Sequence, residues 1–222
     1  SANTKSYNQS GLVTTVELKR PVSKDNMAFE RFTKDGPLAL LPCGPSHMSM
    51  VWACTPEQAQ AFKDAPKKEF LQNLQENFGY KCGRFIDCGK RIIFPLNQTI
   101  MPDPSYNNIL FLGNAAHTLH PVAGQGFNLS ITEIMQLIDL IVEFENDIGF
   151  DKTFNNPDAL IAEFLAKTSR RKTRIINITD DLLALFSNNT PILKQIRRFT
   201  LNRIDNIKVV KTRLNQVMMG LK

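Results

Sequence analysis

The chain has 222 residues, 42% of them hydrophobic, which suffices for one large domain or two small ones with a real core. No apolar run approaches the roughly 20 residues that cross a bilayer, and the N-terminus Ser-Ala-Asn-Thr-Lys-Ser-Tyr has neither a Met nor a signal-peptide pattern. The net charge of +6 is uneven: residues 157–222 hold 13 Lys and Arg against 5 Asp and Glu, a local +8, so the rest carries −2.

Gly11 to Leu18, rich in Val, Thr and Leu, reads as a strand. Leu38–Leu41 and Met48–Ala53 flank the turn cluster Pro42-Cys43-Gly44-Pro45-Ser46 and read as a hairpin with a loop longer than two residues. Trp52 with Leu38, Leu40 and Met50 is either plain core or the lining of an apolar tunnel, and alternation alone favours core. Thr55-Pro56-Glu57-Gln58 has the capping-box pattern with Pro at the first helical position. A second helix starts near Pro66, puts Phe70, Leu71, Leu74 and Phe78 on one face, and stops at Gly79. Lys90 to Leu96 is a further strand, in which Arg91 and Phe94-Pro95-Leu96 face either a cleft or a packed sheet. Strands joined by turns argue for a mostly antiparallel sheet and an α+β fold. None of Cys43, Cys54, Cys82 and Cys88 stands in C-x-x-C spacing, which argues against a zinc ribbon or thioredoxin motif and for free thiols in a reducing cytoplasm.

The character changes at Ile109. A short apolar strand, Ile109 to Leu112, runs into Gly113-Asn114-Ala115-Ala116-His117, then Thr118-Leu119-His120-Pro121, then Gly124-Gln125-Gly126-Phe127-Asn128. That order places a helix N-terminus beside a loop of little bulk, a setting for an electron-rich ligand atom. From Gly126 to Glu143 the helix is apolar around most of its surface, with Thr132, Gln136, Asp139 and Glu143 as a single polar stripe, so it is expected to be largely buried. Asn146 to Asn156 reads as a polar loop. Pro157 opens a long helix to about Phe186, broken at Asn188-Asn189-Thr190-Pro191 and followed by a last helix to about Leu221. Lys167 to Arg174 is its basic stretch, and a solvated helix face is the plain reading of it. It lacks the interleaved aromatics that stack bases, so nucleic acid is not an expected partner. His117 and His120 are too isolated from Cys or further acids for a metal site.

The segment Gly113 to Asn128 resembles the second flavin motif of FAD-dependent aromatic hydroxylases of the para-hydroxybenzoate hydroxylase fold. Their usual pattern is Gly-Asp-Ala-Ala-His, a proline, then Gly-x-Gly-x-Asn. Asn114 and the run Thr118 to Leu129 most resemble the branch that hydroxylates 2-polyprenyl-6-methoxyphenols in ubiquinone biosynthesis. Phe29 to Thr33, Gly36 to Pro42, Val51-Trp52, Gly89-Lys90-Arg91 and Thr179 to Leu182 agree in order. A sister hydroxylase of another ring position is the near alternative. A non-catalytic basic module for membrane or partner binding is the distant one.

The resemblance implies FAD as cofactor, NAD(P)H and O2 as co-substrates, and a polyprenylated phenol as substrate. It implies cofactor contacts at Gly113, Asn114, Ala115, Pro121, Gly124, Gln125, Gly126, Phe127 and Asn128, with Pro121 and His120 near the reactive flavin edge. Asn114 stands where most relatives carry Asp, and Glu133 where they carry another Asp, read as structural. Residues 7–104 correspond to a substrate domain, 105–156 to the C-terminal part of the FAD domain, and 157–222 to a helical region. A cytoplasmic location follows, with peripheral contact to the inner membrane through the basic helices, and with membership of a ubiquinone-biosynthesis enzyme complex. The Gly-x-Gly-x-x-Gly of a pyrophosphate cradle does not occur. The chain is therefore expected to be a C-terminal portion, colourless and inactive alone.

Overall fold

The computed structural model describes residues 1–21, 27–33, 35–148 and 157–187. The predicted break at 188–191 and the last helix lie outside these, as does most of the polar loop. Two compact units are built on residues 6–97 and on residues 1–5 with 98–185.

The first unit is a curled antiparallel sheet covered by two helices. β1 (Asn3–Leu18), β4 (His47–Cys54), β3 (Pro37–Pro42) and β2 (Phe29–Phe32) lie side by side, and β5 (Phe85–Cys88) pairs the end of β1. The register explains the core. Leu12 faces Trp52, which faces Leu38, and Thr14 faces Met50, which faces Leu40, so side chains of three strands form two rows on one face. Over these rows lie α1 (Pro56–Asp64) and α2 (Lys67–Phe78). Phe62 of α1 stacks on Trp52 with centroids 4.6 Å apart, and Phe70, Leu74 and Phe78 of α2 close the layer. Trp52, Leu38, Leu40 and Met50 are thus sealed core, not a tunnel wall.

Local signals set the helix ends. Thr55 Oγ1 accepts from the Gln58 N–H and Gln58 Oε1 accepts from the Thr55 N–H, a complete capping box. α2 ends where Gly79 adopts φ +82°. Gln75, buried on α2, donates to the carbonyls of Gly79 and Gly83 and accepts from the Phe85 N–H, tying the helix end to β5. Arg91 donates to the Phe62 carbonyl at 2.6 Å and lies over the Phe70 ring, so it binds the two helices together. Phe94 and Pro95 are exposed, and Leu96 lies against Gly11.

The second unit carries the motif. β6 (Ile92–Ile100) passes into it and pairs with β9 (His117–Thr118). The predicted strand 109–112 is shorter than expected: β8 (Ile109–Leu110) pairs only with β7 (Ser105–Tyr106), because the partner segment is itself two residues long. α3 (Gln125–Ile148) and α4 (Asp158–Ser187) pack through Leu140, Leu160 and Phe164. α3 is not largely buried as its composition suggests. Among the described residues one side packs into a core, and Phe127, Ile131, Ile134, Met135, Ile138 and Val142 remain exposed. An apolar circumference shows that a helix has apolar neighbours to offer, not that the neighbours are present. Among the described residues, no helix is long and apolar enough to cross a membrane.

Candidate functional site

Residues 113–124 pass through a 3-10 turn, the short strand β9 and a second 3-10 turn before entering α3 at Gln125. Met101 N–H donates to the Ala116 carbonyl at 2.9 Å, and Ile100 pairs with His117, which anchors the loop to β6. Gly113 opens a 3-10 turn (Gly113–Ala115) with φ +55°. A Cβ there would also stand 3.1 Å from Ser130 Oγ of α3, so both backbone and space call for glycine.

The loop's interior is polar. His117 Nε2 donates to Glu133 Oε2 at 2.7 Å, with the two side chains 1% and 7% exposed. The other ring nitrogen, Nδ1, is buried and has no partner. Glu133 lies on the inner side of α3 with Leu129 and Leu140, so the pair fastens the start of β9 to the helix. The sequence reads Glu133 as structural without naming His117 as the residue it holds. A signal existed: Glu133 is the one acid on the apolar side that α3 turns inward.

His120 is fully buried, and its Nδ1 accepts the Val122 N–H at 3.2 Å. Burial pushes its pKa down to about 4, against a smaller opposing pull from Asp180. The ring is therefore neutral at pH 7, with its proton on Nε2, and it caps the 3-10 turn Val122–Gly124. His117 and His120 thus serve different partners, and among the described residues no group of His, Cys, Asp or Glu could hold a metal ion.

That 3-10 turn runs directly into α3 at Gln125, so the positive end of the helix dipole falls on the loop 121–124. The first turn of α3 has no acid to offset it. Gly124 has φ +62°, and a Cβ added there meets nothing within 4 Å. The backbone is bare and open at that point, as a close-fitting planar ligand requires. The predicted contact residues divide cleanly: Gly113 and Gln125 are buried, Gly126 and Asn128 half-buried, and Asn114, Ala115, Pro121, Gly124 and Phe127 exposed. Asn114 Oδ1 accepts from the Thr118 hydroxyl at 3.3 Å, leaving its amide NH2 for another partner. A groove of about 600 Å³ in the first unit, lined by Lys19, Lys68, Gln72, Tyr80 and Arg84 among others, includes none of the predicted residues.

The profile of the FAD binding domain family matches residues 2–153. The ubiquinone hydroxylase UbiL of Rhodospirillum rubrum is 29% identical over 214 residues, covering 96% of this chain and 48% of that protein. The mitochondrial ubiquinone biosynthesis monooxygenase COQ6 of Caenorhabditis elegans is 26% identical, covering 92% of this chain and 52% of its own. Among solved structures, the Diels-Alderase PyrE3 of pyrroindomycin biosynthesis superposes with a TM-score of 0.68 at 16% identity, over 99% of this chain and 46% of that one, a likeness of fold. The chain spans about half the length of the curated relatives it matches.

Proposed function

Because this chain belongs to the FAD binding domain family, we propose that it is the substrate-binding and ring-side portion of a flavin-dependent monooxygenase that hydroxylates a polyprenylated phenol in ubiquinone biosynthesis. The observation that carries the reading is the bare, positive-φ backbone at Gly124, set at the uncompensated N-terminus of α3. FAD held there would supply the hydroxylation chemistry, with NAD(P)H as reductant and O2 as oxidant. The chain's own residues position it. Gly124, Gln125 and Gly126 let the backbone approach the ring, and the helix dipole favours the electron-rich pyrimidine side. Pro121, with fixed φ, holds the loop's exposed edge. The free amide of Asn114 suits a hydroxyl of the ribityl chain. Gly113, Ala115, Phe127 and Asn128 complete the contact surface.

Residues 7–104 then carry the phenol, 105–156 belong to the C-terminal part of the FAD domain, and 157–222 form a third region that opens with α4. The similarity to UbiL and COQ6 supports a phenolic substrate of the ubiquinone pathway. Peripheral contact with anionic membrane is part of the proposal, through Arg170 and Arg174, which are exposed on α4, whereas Lys167 is occupied by Glu143 and Glu163. Flotation with anionic vesicles that is equal at low and high salt, or absent, counts against that contact.

The test of the main reading is to join this chain to the N-terminal half of UbiL. The chain alone is expected to purify colourless. The joined chain is expected to bind FAD and to oxidise NAD(P)H faster when a prenylated phenol is added. A joined chain that folds yet takes up no FAD sinks the reading.

A further inference from the structure

The groove of about 600 Å³ in the first unit is lined by residues of that unit alone and has none in common with the loop 113–128. One wall is a face of α2, where Lys68, Leu71, Gln72 and Gln75 recur at helical spacing. Another is the end of the β1–β5 pair. There the Lys19 N–H donates to the Arg84 carbonyl at 2.9 Å, which makes these two cations neighbours. Buried Gln75 fixes the turn between α2 and β5 through the Gly79 and Gly83 carbonyls and the Phe85 N–H. Backbone hydrogen bonds thus hold the groove in shape.

We propose that this groove is a binding site for a free nucleoside polyphosphate, with the phosphates on Lys19, Lys68 and Arg84 and the base against Tyr80. The inference does not depend on the flavin reading. Among the described residues that line the groove, three are cations and none is an acid. None of the three cations has an ion-pair partner among the described residues. α2 and β5 carry Glu69, Glu76 and Asp87, all outside the lining. Asp87 is held by Lys67 at 2.6 Å, and Glu76 accepts from the Gln72 amide at 3.0 Å. General basicity does not explain the cluster, since residues 1–156 carry a net −2. Like charges around one concavity repel each other, and a multiply charged anion reverses that. Arg84 suits two oxygens of one phosphate, and the lysines serve as point charges. The remaining lining fits a flat body. Tyr80 is 73% and Ile86 46% exposed, an apolar seat on which a base can stack. With its amide N–H on Glu76, Gln72 offers its Oε1 to an exocyclic amine. The volume falls in the range of small-molecule sites, roughly 300–1,000 Å³. Three cations on one concavity match charges gathered in a phosphate chain, not charges spread along a peptide or a bilayer.

The experiment titrates the full chain with ATP, pyrophosphate and adenosine by calorimetry. The expected result is one ATP bound per chain, with pyrophosphate weaker and adenosine weaker still. Lys68→Gln with Arg84→Gln should weaken ATP binding at least about tenfold, by removing two charge-assisted contacts. Tyr80→Ala should weaken ATP and leave pyrophosphate unchanged. Lys63→Gln, an exposed cation of α1 outside the groove, should change neither. All four positions are exposed, so the variants should keep the parent thermal transition. ATP that does not bind, or binds equally well to the groove variants, overturns the proposal. So does an equal loss in Lys63→Gln, which marks general charge attraction. Pyrophosphate bound as tightly as ATP shows that no base is read and overturns it too. Flotation on phosphatidylglycerol vesicles that the double variant abolishes and ATP does not displace assigns the cations to a membrane, and overturns it as well.

Discussion

The two units bury different kinds of atoms. In residues 6–97 the interior is a closed and mainly apolar layer: Leu12, Trp52, Phe70 and Leu74 are all inaccessible, the buried Gln75 meets three backbone partners, and the Trp52 indole N–H is the buried polar atom left without one among the described residues. In residues 98–185 the interior holds His117, His120, Gln125 and Glu133, one imidazole nitrogen is without a partner, and an apolar row faces outward. A closed apolar layer maximises burial, whereas a polar interior fixes one loop conformation at a cost in stability. The first unit is built to hold its own fold, and the second to hold a loop for something else.

The comparison is broken most directly by truncating one group in each interior. Phe70 is fully buried, contacts Phe62 edge-on at 6.4 Å and lies under the Arg91 guanidinium. Phe70→Ala is expected to cost about 3–5 kcal/mol in urea unfolding, by lost burial plus cavity. Glu133→Ala leaves both nitrogens of His117 unpartnered in the interior and should cost about 3 kcal/mol. Glu133→Gln keeps an acceptor for Nε2 and should recover a large part of that. If Glu133→Ala proves neutral, the buried pair is not what holds the loop to α3, and the contrast between the units loses its main support.

A titration sharpens the contrast further. The folded pKa of His120, about 4, lies below the ordinary 6.5. Between those values the unfolded chain binds the proton and the folded chain does not, so stability falls as pH falls through that window. The contribution amounts to about 2 kcal/mol lost between pH 7 and pH 5. His120→Asn retains an acceptor for the Val122 N–H without the titration. Its stability should therefore change less over the same range, and an unchanged pH profile would show that another group is responsible.

How far the sequence could be read follows the same division. The capping box at Thr55, the stop at Gly79 and the inward rows of β1, β3 and β4 rest on local geometry and a two-residue period, and the structure has all three. The loop's conformation was legible as glycine and proline placement. The His117–Glu133 pair was not, because it joins residues 16 positions apart, whose approach depends on how β9 meets α3. The outward row of α3 was misread as buried for a related reason. Periodicity reports which faces are apolar, and only the tertiary structure reports which of them are covered.

The smallest expected change in stability separates conformation from function within the loop. Gly113 and Gly124 both have positive φ, near +55° and +62°, but their surroundings differ. Gly113→Ala adds a contact of 3.1 Å to Ser130 Oγ, whereas Gly124→Ala meets open space. Gly124→Ala should thus cost only the left-handed backbone penalty, about 1–2 kcal/mol, and less than Gly113→Ala. In the chain joined to the N-terminal half of UbiL, the same methyl group stands where the flavin ring is proposed to approach. There Gly124→Ala should reduce FAD retention far more than its modest effect on unfolding accounts for. If stability and flavin uptake fall in proportion instead, Gly124 serves only the turn, and the ring must lie elsewhere along the loop.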